Sequence, residues 1–226
     1  MLQELIRREF NRWADLGRGR GMEKSHWDIT RQIVELMHVD EYDNVLDLGC
    51  GVGWATRVLA QRAARGIVLG IDLSDRMITQ ASREYRNSPN ALFLVADGAA
   101  LPCSDGFFNA LLSVESLYYY PDLDGAFAEV HRVLRPAAKA FFLINYYKEN
   151  VYSHNWAKYI DIPIHLLGAE EYMARLLNAG FRWATHRRVI DSTPITEDWK
   201  PTNWFPTRQD QAKFQTEGAL LLIAEK

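Results

Sequence analysis

Cysteine is scarce in this chain: Cys50 and Cys103 are the only two among 226 residues. That excludes a disulfide framework and a cysteine-built metal cluster, and makes reduced thiols in a cytoplasmic protein the expectation. No metal site of any kind is predicted. A long apolar run is missing, and so is an N-terminal apolar stretch ending in a small-residue cleavage site. Neither a membrane span nor a signal peptide is therefore expected. Positive charge is not in excess either. The formal net charge is −3 and the lysines and arginines are scattered, which speaks against a nucleic-acid partner. What is present suits a globular chain: 48% hydrophobic residues and length enough for one sizeable core.

Apolar residues at Leu2, Leu5, Ile6, Phe10, Trp13 and Ala14 recur at helical spacing. A glycine- and arginine-rich loop, Gly17 to Gly21, precedes a second amphipathic helix from about Ser25 to His38. From Asn44 onward, short apolar runs alternate with helical ones. Strands are predicted at 45–48, 67–71, 91–96, 109–114 and 139–144. Between them fall helices from Trp54 to Ala64, after the N-cap Ser74, and through Leu123 to Leu134, stopped by Arg135-Pro136. This alternation predicts right-handed crossovers and an α/β, doubly wound, mostly parallel sheet covered on both faces. After Asn145 it lapses. Residues 146–167 are crowded with aromatics and histidines, and 191–216 read as a second irregular insertion. A helix from Ala169, a strand from about Phe181 and a closing strand from Ala219 complete the chain. Residues 1–226 form one domain: a helical cover (1–41), a binding core (42–145) and two substrate-side insertions (146–167 and 191–216).

The chemistry starts at Asp47-Leu48-Gly49-Cys50-Gly51-Val52-Gly53. A glycine-rich turn between the first strand and a helix is where such sheets bind nucleotides. The dinucleotide fingerprint needs a further small residue where this chain has Trp54. Asp47 would repel a pyrophosphate but attract a ligand carrying an ammonium and a sulfonium. Both features favour S-adenosylmethionine over NAD. Asp72 ends the second strand, placed to accept ribose hydroxyls, and Asp97-Gly98-Ala99 ends the third, placed at an adenine. The fourth strand ends in Ser113-Val114-Glu115 beside Tyr118-Tyr119-Tyr120, at the switch point of the sheet.

These segments resemble the class I S-adenosylmethionine-dependent methyltransferases, in the small-molecule branch that includes ubiquinone/menaquinone C-methyltransferases. The resemblance runs from Tyr42 to Asn145. It rests on the glycine loop, Gly70-Ile71-Asp72-Leu73-Ser74, Ala96-Asp97-Gly98-Ala99-Ala100-Leu101-Pro102 and Glu129-Val130-His131-Arg132-Val133-Leu134-Arg135-Pro136. It implies a Rossmann-like methyltransferase fold with a seven-stranded sheet whose last strand is antiparallel. Asn109, and Ala137-Ala138 in place of the usual glycine pair, depart from the pattern.

The expected cofactor residues are Asp47, Gly49, Cys50, Gly51, Gly53, Asp72, Leu73, Met77, Asp97, Gly98, Ala99 and Ser113, with Trp27 either capping the site or stapling its helix to the core. Tyr118, Tyr147, Tyr152, His154, Trp156 and Trp204 are the expected substrate contacts. Glu115 and His154 are the candidate catalytic groups, although each also reads as a structural or solvated residue. The function expected is in-line methyl transfer to an O, N or C nucleophile of a small molecule, leaving S-adenosylhomocysteine, by a monomer or homodimer. A non-catalytic module on the same fold and a nicotinamide-dependent oxidoreductase are the alternatives.

Overall fold

A computed structural model describes residues 2–226. Its seven strands are β1 (Val45–Leu48), β2 (Val68–Asp72), β3 (Ala91–Val95), β4 (Phe108–Val114), β5 (Leu134–Ile144), β6 (Trp183–Val189) and β7 (Ala219–Glu225). They form one sheet in the order β3-β2-β1-β4-β5-β7-β6. Strands β1 to β5 pair in parallel, whereas β7 runs antiparallel to both β5 and β6. The helices are α1 (Leu2–Asp15), α2 (Arg18–Met37), α3 (Trp54–Arg62), α4 (Asp75–Glu84), α5 (Leu123–Val133), α6 (Ala169–Asn178) and α7 (Arg208–Glu217). This is the seven-stranded, doubly wound architecture that the resemblance implies.

Every residue of β1 is buried, as a parallel strand covered on both faces requires. The chain leaves β1 toward β2 on one side and meets β4 on the other. The carboxyl ends of β1 and β4 therefore flank the switch-point crevice. Ser74 caps α4 as its position predicts, its hydroxyl accepting from the Met77 N–H at 3.1 Å. Helix α1 is tied to α4 through polar contacts: Asn11 meets both the Ser74 hydroxyl and Asp75, and Arg76 pairs with Asp15.

Three readings of the sequence differ from the structure. The Gly17–Gly21 stretch is not a loop. Only Gly17, with φ +69°, forms the turn, and α2 begins at Arg18. Gly19 sits within that helix because a Cβ there would lie 2.4 Å from Val52 Cγ1, so its bareness lets α2 approach the glycine loop. The second insertion contains α7, which buries only Phe214 and so lacks an apolar stripe to announce it. Strand β5 begins at Leu134 rather than Lys139, with a register shift before Lys139 and Ala137 at φ +63°.

Candidate active site

Asp47 projects from the end of β1 and is 1% exposed. The Thr56 hydroxyl donates to it at 2.6 Å. Burial pushes its carboxyl up to about 7, and the neighbouring charge of Asp72 acts in the same direction, against the Thr56 hydrogen bond. The loop that follows is anchored backward: the Gly49 and Cys50 N–H groups both donate to the Ile71 carbonyl, at 2.8 and 2.9 Å. Gly51, at φ +54°, donates its N–H to Asp72 at 2.9 Å, and a Cβ there would meet nothing within 4 Å. The loop thus turns an empty face toward the crevice.

Asp72 also accepts from the Ser74 N–H at 2.8 Å, and burial raises its carboxyl above the usual range. Asp97, after β3, accepts from the Ala99 N–H at 3.0 Å and from the Gln3 side chain of α1. Tyr120 packs so closely on Gly98 that a Cβ there would lie 2.1 Å from its ring. A ligand carrying positive charge and a ribose suits this donor-poor, carboxylate-rich end: Asp47 gains a counter-ion, and Asp72 offers acceptors beside an open backbone.

The cavity that these carboxylates line has an aromatic wall as well. Its lining includes Phe10, Trp13, Arg18, Met22 and His26 from α1 and α2, and Glu115, Tyr119 and Tyr120 after β4. Phe10 and Tyr119 meet edge to face, with ring centres 4.9 Å apart. Glu115 is buried and occupies the left-handed region at φ +55°, which costs a non-glycine residue roughly 1–2 kcal/mol. Its carboxylate accepts from the Tyr118 hydroxyl at 2.8 Å and the Asn145 N–H at 2.6 Å. Burial raises its pKa, while His26 opposes that shift.

Of the cofactor residues expected from sequence, Asp47, Gly49, Cys50, Gly51, Asp72, Leu73, Met77, Asp97 and Gly98 line this cavity. The other four do not. Gly53 is a packing glycine under the Phe93 ring, and Ala99 holds Asp97 through its N–H. Ser113 is buried against the Ser116 hydroxyl at 2.6 Å, and Trp27 is 40% exposed on α2. Glu115 lines the cavity; His154 does not, its Nε2 lying 3.2 Å from the Tyr147 carbonyl.

The expected substrate contacts Tyr118, Tyr147, Tyr152, Trp156 and Trp204 also lie outside the lining. Tyr118 is turned to Glu115, and Tyr147 donates to the Gly218 carbonyl at 2.7 Å. Tyr152 lies under the Lys213 ammonium, and Trp156 packs on Trp204 and Phe214. The two insertions thus pack against each other, and the cavity is roofed by α1 and α2. His26, Phe10, Trp13, Arg18 and Met22, all from α1 and α2, are among the lining residues that the sequence did not single out. Their one signal was the apolar face of the first two helices. Among the described residues no helix is long and apolar enough to cross a membrane, and no group of three or more His, Cys, Asp and Glu residues is placed to hold a metal.

Residues 46–142 match a family described as a methyltransferase domain. The chain is 28% identical over 180 residues to a sterol 24-C-methyltransferase of Pneumocystis carinii, covering 74% of this chain and 45% of that one. It is 28% identical over 201 residues to an O-methyltransferase of Penicillium expansum, covering 84% and 68% respectively. The chain therefore spans less than half the length of the first of these relatives. Among solved structures it resembles a chain of the complex between the Haloferax volcanii Trm112 methyltransferase activator and a methyltransferase. There the identity is 33%, the TM-score 0.87 and the coverage 96% of each chain.

Proposed function

This chain belongs to the class I S-adenosylmethionine-dependent methyltransferases, and from that membership we propose that it transfers a methyl group to a small, largely apolar acceptor. The observation that carries the proposal is the single cavity joining three strand-end carboxylates to an aromatic wall. Asp47 would hold the ammonium of the cofactor's amino acid moiety, Asp72 the ribose hydroxyls and Asp97 the adenine. The bound cofactor supplies an activated methyl on a sulfonium. The protein supplies alignment and exclusion of water: Tyr120 closes over Gly98, and Phe10, Trp13 and Tyr119 wall the cavity. The sterol methyltransferase relative supports an apolar acceptor. Free thiols at Cys50 and Cys103 support a cytoplasmic setting.

Calorimetric titration with S-adenosylmethionine, S-adenosylhomocysteine and NAD tests this reading. The first two are expected to bind, and Asp72→Ala to weaken both by at least about tenfold through loss of charge-assisted hydrogen bonds. Tighter binding of NAD, or affinity indifferent to Asp72, would overturn it. We further propose a protein partner of the Trm112 type. It is supported by the neighbour of 33% identity and by the exposed apolar side chains of the edge strand β3.

A further inference from the structure

Cofactor binding leaves the one imidazole of the cavity lining without a task. His26 lies on α2, 8% exposed. Its Nδ1 stands 2.9 Å from the Met22 carbonyl, which only accepts, and 3.2 Å from the Ser25 hydroxyl, whose own hydrogen goes to the Gly21 carbonyl at 2.9 Å; a hydrogen on Nδ1 suits both and leaves the lone pair of the neutral ring on Nε2. Nε2 lies 4.0 Å from Glu115 Oε2, beyond hydrogen-bond reach but well within Coulombic range. The Glu115 carboxylate is already fixed by the Tyr118 hydroxyl and the Asn145 N–H. Its residue also keeps a strained backbone at the point where it faces His26, a cost that tends to persist at functional sites. Two neighbours on its own helix thus set the tautomer of the histidine, and a buried anion stands ready for its protonated form.

We infer that His26 is the proton acceptor of the reaction, and that the methyl acceptor is accordingly a hydroxyl compound, a phenol or comparable acidic O–H on an apolar frame. This rests on the methyltransferase reading above. An alkene carbon or a neutral amine attacks first and sheds its proton only after the new bond has formed, whereas a hydroxyl gains from a base during the attack itself. As the acceptor oxygen forms its bond to the methyl carbon, the carbon–sulfur electron pair stays on sulfur and the hydroxyl proton moves to His26 Nε2. The imidazolium then pairs with Glu115, which acts as a positioning residue. The other charged or titratable groups on this cavity are Arg18, Tyr119, Tyr120, Cys50, Asp47, Asp72 and Asp97.

The test uses 4-nitrophenol as probe, its yellow phenolate followed against pH with and without S-adenosylhomocysteine. In the native chain the phenolate is expected to appear about one pH unit below the free probe, the size of effect a close charge partner gives. His26→Gln should return the onset to that of free probe, and the isosteric Glu115→Gln should move it part of the way. An onset in His26→Gln equal to the native one, or no shift in the native chain, overturns the proposal. Calorimetry with S-adenosylhomocysteine on the same samples separates the two readings. If it binds while the onset ignores His26, the base assignment alone fails. If it does not bind, the methyltransferase reading fails and the titration without it still decides for or against His26.

Discussion

Asp47 is a carboxylate that the unliganded fold holds at a disadvantage. Buried, with the Thr56 hydroxyl as its side-chain donor and Asp72 nearby, its carboxyl is pushed up to about 7. Near neutrality a share of the unliganded molecules carries a proton there. A cationic ligand needs the anion, so binding expels that proton. Affinity for S-adenosylmethionine should therefore rise from about pH 6 towards about pH 8, where the ligand's own α-ammonium begins to lose its proton. Calorimetry in two buffers of different ionisation enthalpy should register proton release near neutrality; heats that ignore the buffer would count against it. The sign for folding is opposite. A carboxyl raised in the native state stabilises the fold at low pH, and that contribution fades as pH climbs through its raised value. Asp47, Asp72 and Asp97 were legible in the sequence because each is a polar residue closing an apolar strand. His26 was not: its meeting with Glu115 exists only once α2 packs over the switch point.

At the scale of elements, local pattern predicts the sheet and helices well where burial is one-sided or complete, and fails where glycine serves packing. Gly19 reads as loop chemistry, yet it lies inside α2 for the sake of Val52. The aromatic wealth of 146–167 reads as an acceptor pocket, yet it fills the seam between the two insertions. Periodicity reports that a side chain is buried, not against what. Strand β5 carries the clearest local conflict. Ala137 sits at φ +63°, its N–H donating to the Lys226 carbonyl, where the resemblance leads one to expect glycine. Left-handed backbone costs a non-glycine residue roughly 1–2 kcal/mol, part of which glycine returns through its freer unfolded chain. Ala137→Gly should stabilise the protein by about 1 kcal/mol in urea denaturation, at unchanged m value. A neutral or destabilising result would mean that the turn is held by contacts the alanine methyl makes.

On the scale of the whole molecule the sheet ends in two edge strands, β6 and β3, and β3 leaves Leu92, Leu94 and Val95 at 48%, 39% and 43% exposure. Unpaired apolar edges invite a partner strand. The activator proposed above should therefore co-purify with the native chain but not with Leu94→Lys, while the melting temperature of the isolated chain stays the same. Retention by Leu94→Lys would remove β3 from that contact.

The buried carboxylates Asp47, Asp72 and Glu115 all line one cavity. If His26 takes the acceptor's proton, the step neither creates nor destroys charge within that cavity. One unit of positive charge vanishes from sulfur as another arises on the imidazole, among anions fixed in advance. Catalysis then amounts to relocating a single cation across a low-dielectric interior whose total charge never changes, which spares the protein the large solvation penalty of charging an enclosed space.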